Sequence, residues 1–189
     1  MMKNDPILYP FVPMNLEFTI PANVSFEEAI GLTQDLLLAN PSDDVLASAV
    51  TALIQTVNGA RGFFVTLLSG DFEQADRLTP GLIQGLRSNP DAIADLMMKN
   101  IAMPTAMALT HERNGDLDRA TSSQRTQRRS IALVQALNLP AIHDRILAMQ
   151  ATLENQSEEY QSFLDRWGYD EEQRSAIGKA MQTTLTPQA

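Results

Sequence analysis

Apolar residues recur every three or four positions through most of this chain and only rarely at every second one, a spacing that predicts helices. Behind a Ser25–Glu28 pair at capping-box spacing, Phe26, Ala29, Ile30, Thr33, Leu36 and Leu37 form one stripe, predicting a helix to about Ala39. Asn40-Pro41-Ser42 punctuates the chain. Val45, Leu46, Ala49, Leu53, Ile54 and Val57 then predict a second helix that stops at Asn58-Gly59. Arg61-Gly62, just past that stop, reads as a turn. The run from Gly62 to Leu68 suits a buried strand or a buried helix, and helix is preferred because no partner strand is visible. Short helices follow Asp71, three residues ahead of Gln74, and Thr79-Pro80.

Asn89-Pro90 opens the most apolar segment. Ile93, Leu96, Met97, Met98, Ile101, Met103, Met107 and Leu109 cover nearly the whole circumference, so this helix is predicted to be enclosed by neighbours. Pro104 should kink it or split it in two, and Asn114-Gly115 ends it. Asp116 caps a long helix to about Asn138, polar throughout Thr121–Ser130, where it must project from the core or cover another polar surface. Pro140 begins a helix through Leu153 that frays near Asn155–Ser157 and resumes to Trp167, and the last helix follows the Asp170–Gln173 spacing.

The fold class expected is all-α: a single-domain bundle of about seven or eight helices over residues 25–189, with the Met-rich helix at its centre. An extended Pro-rich N-terminal arm precedes it over residues 1–24. There Pro6, Pro10, Pro13 and Pro21 remove backbone donors while Leu16, Phe18 and Ile20 alternate with polar residues. Such an arm holds only by packing its side chains on its own domain or on a second subunit.

Composition narrows the function more than it names one. The chain of 189 residues carries a formal net charge of −9, which repels nucleic acid and anionic membranes at long range. No cysteine is present, so disulfides, thiolate catalysis and cysteine-ligated metals are excluded. No uncharged run approaches the roughly 20 residues of a bilayer span and the N-terminus has no signal-peptide pattern, so a cytoplasmic, soluble protein is expected. Nucleophile-elbow, phosphate-loop, helical zinc-protease and di-iron patterns are all missing. A catalyst is therefore disfavoured, and no cofactor or metal is expected.

One stretch runs against the overall charge. Residues 119–129 hold Arg119, Arg125, Arg128 and Arg129 and no acid. Arg125 and Arg129 share a helix face, and such forks suit carboxylates, phosphates or an acidic protein surface. The leading expectation is thus a non-catalytic binding or interaction protein, with a protein partner or a homo-oligomer, that uses this face to contact an acidic partner or a small anion. The alternative is a small-molecule carrier or sensor whose apolar pocket is lined by Met97, Met103 and Met107, with His111 or an arginine fixing a polar head. A third reading is a metal-dependent hydrolase, because His143-Asp144, with His111 upstream, resembles the ligand dipeptide of the HD phosphohydrolases. Leu139–Arg145 lacks the rest of that pattern. Tyr160, Phe163 and Trp167 form an aromatic edge that either docks a partner or seals the end of the bundle.

Overall fold

The structure, a computed structural model, describes residues 18–186. Among these, ten helices and no strand are present: α1 (Phe26–Ala39), α2 (Asp43–Leu53), α3 (Val57–Ser69), α4 (Glu73–Asp76), α5 (Pro80–Arg87), α6 (Pro90–Arg113), α7 (Leu117–Leu137), α8 (Pro140–Leu153), α9 (Gln161–Trp167) and α10 (Glu171–Leu185). The all-α expectation stands, and the count exceeds the seven or eight expected. A clean break between α8 and α9, in place of the expected fray within one helix, contributes to the excess. At that break Asn155 adopts a left-handed φ of 59° and the Tyr160 amide donates to Thr152 Oγ1 at 3.3 Å. Residues 1–17 of the expected arm lie outside the described residues; Phe18 and Ile20 sit half-buried against the core and Val24 is buried.

Local chemistry accounts for most helix ends. Ser25 and Glu28 cap each other's backbone at α1, as do Asp170 and Gln173 at α10, which satisfies donors that helix starts leave free. Thr79, Asn89 and Asp116 cap α5, α6 and α7 through their side chains. Asn40 and Asn138 end α1 and α7 in the left-handed conformation that Asn tolerates.

Three expected boundaries differ. Asn58-Gly59 does not stop α2, which ends at Leu53; it lies in the first turn of α3, capped by Thr56 Oγ1 accepting from the Gly59 amide at 3.0 Å. Glycine is required there by crowding, since a Cβ at position 59 would sit 2.0 Å from the Leu53 carbonyl oxygen. Arg61-Gly62 is accordingly helical and not a turn, and the preference for helix over residues 62–68 holds. Asp71 caps nothing, because α4 begins after Phe72. Pro104 does not split α6, which runs unbroken over 24 residues.

One contiguous apolar cluster joins all ten described helices, α4 through Ala75 alone. The expected central role of the Met-rich helix is met: α6 contacts α3, α5, α7, α8 and α10, and buries Ile93, Met97, Met98 and Ile101 completely. Each such side chain contributes roughly 1.5–3 kcal/mol relative to exposure. Gly62 lets α1 approach α3 closely, as a Cβ there would fall 2.5 Å from the Ala29 Cβ. No described helix is long and apolar enough to cross a membrane.

A cleft between α6, α8 and α9

The α7 arginines turn inward or sideways and do not converge on open solvent. Arg129 is buried, with 6% of its surface exposed. It donates from Nε and Nη2 to Asp76 at 2.8 and 2.5 Å, and from Nη1 to the carbonyls of Leu68 and Gly70 at 3.1 and 2.7 Å. Arg125 donates to Asp71 at 2.6 Å and to the Ser69 carbonyl at 3.1 Å. Three successive carbonyls at the end of α3 thus receive guanidinium donors. A helix C-terminus leaves such carbonyls without partners and carries partial negative charge, so the two arginines act as its cap. The hydrogen bond from Arg129 holds the Asp76 carboxyl below its usual value, and the same bond raises the Arg129 guanidinium. Arg119 folds back on Asp116, the cap of its own helix, at 3.4 Å. Arg128 is exposed and has no ion-pair partner among the described residues.

Nor do the expected pocket residues of α6 come together. Met97 is sealed in the core, whereas Met103, Met107 and His111 lie half-buried on successive turns. His143 lines a surface pocket with Gln135, Asn138 and Thr184, and no group of three His, Asp or Glu side chains is gathered among the described residues.

Charge and aromatic surface do converge on a cleft of about 520 Å³ between α6, α8 and α9. Asp95 and Lys99 enter from α6, where their four-residue spacing puts both on one face, and Lys99 Nζ donates to Asp95 at 2.6 Å. The Tyr160 hydroxyl donates to the other Asp95 oxygen at 2.9 Å. Arg145 reaches from α8 to Glu159 at 2.9 Å. Lys99 also lies 5.4 Å from the centre of the Phe163 ring, a cation–π distance. Burial, and then the Asp95 hydrogen bond, push the Tyr160 phenol up, so it is a donor throughout the physiological range.

The far wall is aromatic. Trp167 is 48% exposed and stacks on buried Tyr169, with ring centres 6.4 Å apart and planes 9° from parallel. Phe163 meets the same tyrosine edge-on. Both acids in the lining are paired, which leaves Arg166 as its one cation with no partner among the described residues. The arrangement can hold a flat apolar group on the indole and a carboxylate beside it.

A family described as Uncharacterised conserved protein UCP020893 matches residues 25–184. The chain belongs to that family. Its matched span begins at the Ser25 cap and ends within α10, so every cleft residue lies inside the family region. No curated protein and no solved structure matches the chain.

Half of the cleft is visible in the sequence of this family member. Spacing groups Tyr160, Phe163 and Trp167, although Tyr160 is buried and only Trp167 is substantially open. Asp95, Lys99, Arg145 and Arg166 are not singled out by any sequence pattern considered above. The Asp95–Lys99 spacing is a usable signal, whereas nothing local ties α6 to a turn 60 residues onward.

Proposed function

We propose that the protein is a non-catalytic binding domain and that its contact with an acidic partner falls on the α6–α8–α9 cleft. The observation that carries this reading is the pairing of a half-exposed tryptophan with a neighbouring unpaired arginine on a wall where every acid is already neutralised. Tryptophan, tyrosine and arginine dominate the energetics of protein interfaces, because each offers large area with a fixed polar handle. The contact expected on α7 is moved to this cleft because Arg125 and Arg129 are engaged within the chain, by carbonyls at the end of α3 and by Asp71 and Asp76. The partner is an acidic segment bearing a flat apolar side chain, whose ring covers Trp167 while its carboxylate meets Arg166.

A displayed peptide library tests this. The full chain should enrich sequences that join an aromatic residue to Asp or Glu, and enrichment should vanish for Arg166→Glu and Trp167→Ala while both variants keep their helical circular dichroism. Unchanged enrichment in both variants would remove the reading.

A further inference from the structure

A second pocket, of about 250 Å³, opens where α1, α3, α6 and α7 meet and shares no lining residue with the cleft. Its walls are largely apolar: Phe26, Phe64, Val65, Leu68, Leu96 and Met103. Four polar side chains interrupt them, Arg61, Ser69, Asn100 and Thr126; the Ser69 and Thr126 hydroxyls donate to the carbonyls of Val65 and Ser122 in their own helices, whereas Asn100 and Arg61 are left without such partners among the described residues. Asn100 Nδ2 is buried with no hydrogen-bond partner, although a buried amide without a partner costs about 1–3 kcal/mol. Pro104, four residues onward, has no backbone N–H, so the helix ladder supplies no donor to the Asn100 carbonyl either. Arg61 is exposed at the same pocket, 5.2 Å above the Phe26 ring, and has no ion-pair partner among the described residues.

We propose that this pocket binds an amphipathic monocarboxylate, with its apolar body against Met103 and its head shared between Arg61 and the Asn100 amide. An orphaned donor and an unpaired cation in one largely apolar pocket, whose two hydroxyls already donate to their own helices, fit one charged acceptor group on a hydrocarbon body. Size sets the class further. A dry cavity of about 150 Å³ holds a benzene ring, so 250 Å³ takes about ten carbons. A medium-chain alkanoate or an aryl-alkanoate meets that description, whereas a long-chain lipid exceeds it. The inference is independent of the α6–α8–α9 cleft, and the two are separately visible because the only tryptophan lies in the cleft.

Decanoate is the probe, below its micelle concentration, with the full chain labelled at its methionine methyl groups. Titration should saturate at one site, shift the Met103 methyl resonance and leave Trp167 emission unchanged. Decanol, which lacks the charge, should bind about tenfold or more weakly, since a charge-assisted hydrogen bond is lost. Arg61→Gln should bring decanoate down to the affinity of decanol. Asn100→Leu, similar in size, should weaken decanoate while raising the melting temperature of the free protein, and Val65→Phe should block the pocket from a surface position. Absence of a saturable Met103 shift up to about 1 mM, where binding contributes only some 4 kcal/mol, overturns the proposal. Equal affinity for decanoate and decanol overturns it too.

Discussion

Replacing Arg129 with Met keeps the aliphatic stem and removes the guanidinium, and the structure allows the cost to be worked out. Four hydrogen bonds disappear, two to Asp76 and two to the carbonyls of Leu68 and Gly70. Hydrogen bonds to charged groups contribute about 1.5–3 kcal/mol each in favourable cases. Two effects lower the sum: Asp76 keeps 63% of its side-chain surface exposed and rehydrates, and desolvation of the buried cation is relieved. The stranded carbonyls of α3 then dominate, at about 1–2 kcal/mol apiece. A net loss of about 2–4 kcal/mol is expected, or a fall in melting temperature of roughly 5–15 °C for a chain of this size. Thermal unfolding followed by circular dichroism at neutral pH measures it. Arg125→Met should cost about 1 kcal/mol or less, because its partner Asp71 is 88% exposed. Arg128→Ala should leave stability unchanged. An Arg129→Met protein that melts with the wild type would refute the assignment of these arginines to capping α3.

The same ion pair and two helix glycines set three further outcomes. The Asp76 carboxyl titrates below its ordinary 3.8 because Arg129 binds its ionised form. Its contribution is therefore complete above that ordinary value and is lost as pH falls through the lowered one; in acid titrations monitored by circular dichroism, Asp76→Asn should flatten that part of the stability profile. Gly31 lies inside α1, and a Cβ added there would meet nothing within 4 Å, so Gly31→Ala should stabilise by about 0.5–1 kcal/mol in urea unfolding. Gly62→Ala should do the opposite, by about 1–3 kcal/mol, because its Cβ would fall 2.5 Å from that of Ala29.

Helix ends set by neighbours three residues apart are legible in the sequence. Ser25 with Glu28 and Asp170 with Gln173 form the capping boxes their spacing predicts, and Thr79-Pro80 and Asn89-Pro90 open helices as expected. Expectation and structure part wherever a distant atom decides the matter. Gly59 looks like a helix stop by composition, but its role is to clear the Leu53 carbonyl at the reversal between α2 and α3. Asp71 has the spacing of a cap and is drawn instead to Arg125, 54 residues away. The α7 arginines illustrate the limit for sites. Their clustering and charge are plain, but Asp76 lies 53 residues upstream of Arg129, and no periodicity links the two. The cleft is half legible for the same reason: its aromatic wall, with Glu159 and Arg166, lies within one helix and its approach, whereas Asp95, Lys99 and Arg145 come from α6 and α8.

The central claim is that the surface around Trp167 and Arg166 receives an acidic partner. Because Trp167 is the chain's single tryptophan, its emission reports on that surface alone. The deciding measurement is a fluorescence titration of the full chain with a selected aromatic–acidic peptide, alongside the same peptide with Asp and Glu changed to Asn and Gln. A saturable change in Trp167 emission is predicted for the acidic peptide, lost with the amide version and in Arg166→Glu. Binding that leaves Trp167 emission unaltered, or that is indifferent to the peptide's carboxylates, would contradict the account.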